Sequence, residues 1–494
     1  MSRARAEGRG RSGDGPGARD GALAEDGAGA HSQAHAQDRT PPHWLRTFLI
    51  IFAGQGFSLL GSAAVNFAFV WWLTAETGSA TVLAYASIAV ILPQALLGPL
   101  AGPYIDRWDR RVTMIVADVA IAAASVVMLF AFRAGTPPIG LAVAIIAVRS
   151  AGAAFHTPAS QAAVPMYVPA DQLMRVAGWN FFLSSGVAMA GPVLGAFLMA
   201  TTSIEAVIGV DIVGAALAVT SLMLVRIPHP ERAEAVGEGA LGGEPGAGSA
   251  RFIAEFAEGW RELVRHRGLL DLTLAIAAVT VLYMPLNALF PLMTFEHFNG
   301  GAAEASYVEL AFGAGMLAGS LALGVFLARV SGVRLVAGAI VGLGALVAVS
   351  GLLPAGAFWV FVGLCVLMGV TAPLFGAPIT AMFQILIDPA KLGRVMSLYT
   401  TIAMLAAPVG LVAAGPIAER TGVAAWFAVT GVLIAVMGVV VWALPSVRGL
   451  DGAMEAVTAA AGDAASGAAG GAVSAAAAGE AATAAAVAGE GAED

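Results

Sequence analysis

Twelve runs of about 20 mainly apolar residues recur along this 494-residue chain. As a helix, each is long enough to cross the roughly 30 Å hydrocarbon layer of a bilayer. No water is available there, so every backbone N–H and C=O must be satisfied within its own segment or in a closed barrel. Runs of this length select the helical solution. The chain is therefore predicted to be an all-α polytopic membrane protein. Its spans are expected at 47–74, 82–104, 112–132, 138–157, 177–200, 204–226, 269–295, 306–329, 334–353, 357–377, 395–418 and 423–445. The composition agrees: 58% of residues are hydrophobic, 12% are charged and the mean hydropathy is +0.81. A soluble protein of this size needs far more charge to cover its surface.

The composition shifts at three places, which divides the chain. Residues 1–43 hold almost no large apolar residue and are expected to be a disordered tail with no signal-peptide core. Residues 44–228 form a first six-helix unit and 268–448 a second. Between them, 229–267 combines a Gly/Ala/Glu-rich linker with "RFIAEFAEGWRELVRHR". The alternation in that stretch predicts an amphipathic helix lying on the membrane surface. Residues 449–494, Ala/Gly-rich and acidic, are expected to be a solvated, disordered tail. That tail supplies most of the net charge of −8, so the acidic balance says nothing about a partner.

Basic residues set the orientation. Fourteen Arg and Lys lie in loops on one side of the spans, among them Arg107, Arg110, Arg111, Arg175, Lys391 and Arg394; the other side holds only Arg133 and Arg420. The first side, with both termini, is expected to be cytoplasmic, with the spans in the cell membrane. The single lysine, in "PAKLG", fits no phosphate-binding loop, so no hydrolytic engine is expected. The histidines are scattered and the one cysteine, Cys365, falls within a span. No cofactor, metal centre, disulfide or nucleic-acid partner is expected, and no catalytic constellation that would make an enzyme.

The two units echo each other. "TPASQAAVPMYVPADQLMRV" at 157–176 and "APITAMFQILIDPAKLGRV" at 377–395 share Pro158/Pro378, Ala170/Ala390, Leu173/Leu392, Arg175/Arg394 and Val176/Val395 with one gap. Gly98 and Gly102 are echoed more weakly by Gly319 and Gly324. Parallel six-span repeats describe a transporter that rocks two bundles about a central site. The most charged short stretch in the spans' connections is "DRWDRR", residues 106–111. With Gly98 and Gly102 before it, this stretch resembles motif A of the major facilitator superfamily through Asp106, Arg107, Arg110 and Arg111. Asp109 stands where that family usually has Gly. The resemblance implies a fold of twelve spans in two pseudo-symmetric six-helix bundles, and a loop that latches helices while the cytoplasmic side is closed. Gly178, Gly191, Pro192 and Gly195 match part of the family's antiporter motif, a close-packing device. "AGQGFSLLGSA", "LTAETGSATVL", "AFHTPA", "LYMPLNALFPLMTFEHFNG" and "LGRVMSL" resemble the Mef-type macrolide exporters over roughly residues 47–450.

The resemblance implies efflux of macrolide-like or other amphipathic drugs in exchange for protons, with membrane lipid as the surrounding partner. The alternative is a facilitator or importer of a small metabolite, or an exporter of the siderophore type. The family's cavity-lining spans place Gln55, Asn66, Tyr283, Asn287 and Phe375 as cavity candidates. Trp71 and Trp72, at the outer end of the first span, are expected in an interfacial belt. Intramembrane charge points to function. Counting residues from the expected span ends puts Asp118 and Arg149 at similar depth. They are predicted to form an ion pair in at least one transport state, with Asp211 as the competing carboxylate and Arg111 as the competing partner of Asp118.

Overall fold

The computed structural model describes residues 43–225, 257–327, 330–457 and 459. The expectations for the first tail, for most of the linker and for the end of the second tail lie outside the described residues. Among the described residues, twelve helices are long and apolar enough to cross a membrane. They are α1 Trp44–Thr77, α2 Ala80–Arg107, α3 Arg110–Ala134, α4 Ile139–Tyr167, α5 Leu173–Thr201, α6 Ile204–Leu224, α7 Arg267–Leu292, α8 Ala302–Ala322, α9 Gly332–Gly351, α10 Phe358–Leu386, α11 Pro389–Thr421 and α12 Val423–Ala443. Short π-helical segments, Met293–His297 and Leu323–Leu327, extend α7 and α8. Below, the side bearing the basic loops is the basic face and the other is the opposite face.

The helix pairings repeat. In the first half α1 packs on α5 and α6, α2 on α4, and α3 on α4 and α6. In the second half α7 packs on α11 and α12, α8 on α10, and α9 on α10 and α12. The halves meet through α2 with α11 and α5 with α8, two seams that a six-helix shift exchanges. Membrane helices gain no hydrophobic drive from lipid, so small residues that let backbones approach carry the packing. A Cβ on Gly61 would stand 2.9 Å from Asp211 Cα, and one on Gly410 only 1.9 Å from the Val281 carbonyl. The same closeness explains the antiporter-motif residues. Gly191 and Gly195 of α5 lie against Ala63 and Ala64 of α1, beside Pro192 inside the helix, whereas Gly178 faces open space.

Several boundaries differ from the sequence reading. α4 runs to Tyr167 and α10 to Leu386, so the repeated segments begin inside helices, with Pro158 and Pro378 as internal prolines. Proline did not end either helix, since neighbouring helices can re-satisfy freed backbone groups. Residues 257–265 are helical as expected, but they dock on protein. Glu258 pairs with Arg394 at 2.7 Å, Glu262 with Lys391 at 3.0 Å, and Leu263 is fully buried. Residues 445–457 form a further helix, so 449–457 are structured rather than part of a solvated tail. Val447 and Leu450 are buried there, and Asp451 accepts from the Val333 N–H and the Ser331 hydroxyl at the start of α9.

Candidate functional site

Two polar clusters sit inside the first half. In one, Asp211 of α6 accepts from Arg149 of α4 through both carboxylate oxygens, at 2.5 and 3.3 Å. Ser125 of α3 and Ser62 of α1 each donate to the same carboxylate at 2.7 Å. Arg149 also reaches the Ser125 hydroxyl. Arg149 is 6% exposed and Asp211 1%. Four helices are thus tied by one buried, multiply bonded pair.

In the other cluster Asp118 of α3, 4% exposed, accepts from Gln55 of α1 at 3.3 Å. His156 of α4 brings Nε2 within 3.4 Å of the other oxygen, without hydrogen-bond alignment. Arg149 is therefore on Asp211 here, not on Asp118. The reason is length. Arg149 stands 18 residues before the end of α4, about 27 Å at 1.5 Å per residue, because the helix continues past Thr157. Asp118 is only about 12 Å from the start of α3 by the same rise. The residue of α4 that reaches Asp118 is His156, 11 residues before the helix end and about 16 Å by the same rise, which the sequence reading quoted in "AFHTPA" without singling it out. Arg111 is not on Asp118 either. It donates to the Leu222 and Met223 carbonyls at 2.7 and 2.9 Å, satisfying the end of α6.

That contact belongs to the charged loop. Asp109, unusual at its position, caps α3 by accepting from the Arg111 and Val112 N–H groups at 2.8 and 3.4 Å. Arg110 lies 3.4 Å from the Met166 sulfur. The side chains of Asp106 and Arg107, and the surroundings of Gly102, lie outside the described residues. Gly98 has open space over it.

Among the cavity candidates, Gln55 is committed to Asp118. Asn66 and Asn287 are exposed and Tyr283 and Phe375 half-buried. The Asn287 amide lies against the Tyr283 hydroxyl. Trp71 is 7% exposed and sits edge-on to Phe295 at 5.9 Å, so it packs across the halves rather than in a lipid belt. Glu309 of α8, missed in the sequence reading, lies within electrostatic reach of Tyr283 and Cys365. An apolar groove of about 470 Å³ between α3 and α4, lined by Val112, Val116, Val148 and Phe155, belongs to the surface of one half.

The contacts that join the halves gather toward the opposite face. Glu419, in the last turn of α11, accepts from the Thr81 N–H at 3.2 Å and from the Ser79 hydroxyl, while Ser79 itself caps α2. A carboxylate is favoured at a helix N-terminus. A Cβ on Gly415 would stand 2.8 Å from Thr81 Cα. Toward the basic face, Met174, Trp179, Phe181 and Phe182 of α5 are exposed.

Comparison with known proteins agrees with this geometry. The profile of the Major Facilitator Superfamily matches residues 51–308. Macrolide efflux protein A of Streptococcus pyogenes is 38% identical over 410 residues, 83% of this chain and 98% of that protein. The multidrug efflux pump Tap of Mycobacterium bovis is 28% identical over 436 residues, 83% of this chain and 96% of that protein. The crystal structure of a bacterial homologue of the human lysosomal transporter Spinster, inward-facing and unoccupied, superposes with a TM-score of 0.58 at 14% identity. That match covers 84% of this chain and 98% of the other, and it speaks to the fold alone. This chain, a multi-pass membrane protein and not an enzyme, belongs to the Major Facilitator Superfamily.

Proposed function

We propose that this chain exports macrolide-like or other amphipathic molecules across a bacterial cell membrane in exchange for protons, with the basic face and both termini in the cytoplasm. The likeness to macrolide efflux protein A, spanning nearly that protein's whole length, carries the reading. In it, the contacts around Glu419 hold the exterior side shut, while the basic face, where Met174, Phe181 and Phe182 are exposed, stands open. Rocking the bundles breaks those contacts and closes the basic face. Gly98, with no neighbour over it here, lies on the surface that α11 then approaches, and the Asp106–Arg111 loop latches that state.

Asp118 is the proton-responsive group in this scheme. It has two long contacts and no guanidinium, whereas Asp211 is saturated by Arg149 and two hydroxyls. His156 beside it offers a second proton site in the same cluster. In a pump-deficient bacterium, expression should lower accumulation of a radiolabelled macrolide, and an uncoupler should restore it. Accumulation unchanged by expression removes the export reading. Accumulation kept low after uncoupling, with ATP depleted as well, removes the proton coupling.

A further inference from the structure

Glu309 has a carboxylate inside the membrane-spanning part of α8 and no cation to meet it. It stands seven residues into the helix, about 10 Å from its opposite-face end. It shares a helical face with Gly313, four residues on, and Gly313 lies against Met189 of α5. Glu309 is therefore placed on the seam between the halves. It borders open space although protein surrounds it. Among the described residues it makes no hydrogen bond and no ion pair. The helices packed on α8 are α5, α7 and α10. Their only Lys or Arg are Arg175 and Arg267, both at basic-face ends. The one arginine deep in the other half, Arg149, is held by Asp211.

A lone carboxylate at such depth is costly and is retained where something pairs with it. Tyr283, within electrostatic reach, and Asn287 against it narrow what that is. Tyr283 and Asn287 present a phenol and an amide, groups that orient an organic ligand and fall short of the oxygen-rich cage of a metal ion. A phenol ring also attracts an organic cation over its face.

We propose that Glu309 is the anchor for a protonated amine on the exported molecule, with Tyr283 and Asn287 orienting the atoms around it, so that the preferred substrates are cationic amphiphiles. This rests on the export reading above and adds the chemical class to it. The ammonium donates to the carboxylate in a charge-assisted hydrogen bond, and the apolar body lies along the seam.

The test uses the full chain in lipid nanodiscs at pH 7 and two fluorescent probes with the same naphthalimide core. One carries a dimethylaminopropyl tail, the other a neutral tail of equal length. The wild type should bind the amine probe at least tenfold more tightly than the neutral one. Glu309→Gln should remove that preference while leaving the neutral probe within twofold, and Glu309→Asp should restore part of it. Equal wild-type affinities overturn the proposal without involving any variant. Equal weakening of both probes by Glu309→Gln, or no change in either, overturns it as well. If binding of both probes survives Glu309→Gln but uphill export is lost, Glu309 carries the proton and the amine assignment is wrong. If the wild type binds neither probe, the amphiphile-export reading itself falls, and this inference with it.

Discussion

Asp211 receives four polar contacts in a site with almost no solvent, and each comes from a different atom pair on α1, α3 or α4. A buried ion pair is not in itself a strong stabiliser, but removing one partner strands the other, at about 3–5 kcal/mol. Arg149→Gln and Asp211→Asn should therefore each lower membrane yield and thermal stability, and the exchange Arg149→Asp/Asp211→Arg should recover part of both. Full yield in the single variants would mean that the pair is dispensable for folding. Asp118→Asn is isosteric and leaves Gln55 and His156 in place, so yield should stay near wild type while proton-driven transport is lost. Normal coupled transport in Asp118→Asn removes Asp118 from the coupling scheme. Individual charges were legible in the sequence because charge inside an apolar run is conspicuous. Their pairing was not, because it depends on how far α4 continues past Pro158, and hydropathy fades before that helix ends. Glu309 escaped attention because it falls only three residues inside the expected span start at 306, beside Ser306 and Tyr307, where a charge reads as the edge of a loop.

The helix at 257–265 shows how a connecting segment can be fixed by charge. Glu258 and Glu262 meet Arg394 and Lys391 at the start of α11, and the Arg394 carbonyl would lie 3.0 Å from a Cβ on Gly259. The hydrogen bond from Lys391, with its positive charge, holds the Glu262 carboxyl below the ordinary 4.5. A carboxyl lowered in the folded state stabilises above its unfolded pKa, and that contribution fades as pH falls through the lower folded value. The docking should thus be intact at neutral pH and weaken only below 4.5. Lys391→Ala should speed amide exchange across 257–265 at pH 7, and Lys391→Glu/Glu262→Lys should slow it again. Exchange rates equal to wild type in Lys391→Ala would show that the contact fixes nothing. Amphipathic spacing revealed the helix, but spacing cannot distinguish a lipid surface from a protein one. The partner here, "DPAKLGRV", lies more than a hundred residues downstream.

For the whole molecule, the twelve spans and the repeat follow from run length and from "PA.L.RV"-like echoes, which bilayer thickness makes nearly unambiguous. The state of the two halves does not, because it rests on contacts between distant residues such as Ser79 and Thr81 with Glu419. Glu419→Gln should loosen the opposite face. In a Cys365→Ser background, a cysteine replacing Asn66 should then react several-fold faster with a maleimide that cannot cross the membrane, applied to that face. An unchanged rate would mean that the Glu419 contacts do not hold the face shut. The central claim, export of an amphiphile driven by protons, is tested most directly with the purified chain in sealed proteoliposomes and a radiolabelled macrolide. An imposed proton gradient should drive the drug uphill against the direction of proton flow, and collapsing the gradient should stop it. Drug movement that only follows its own gradient, at the same rate with and without the proton gradient, would contradict the account.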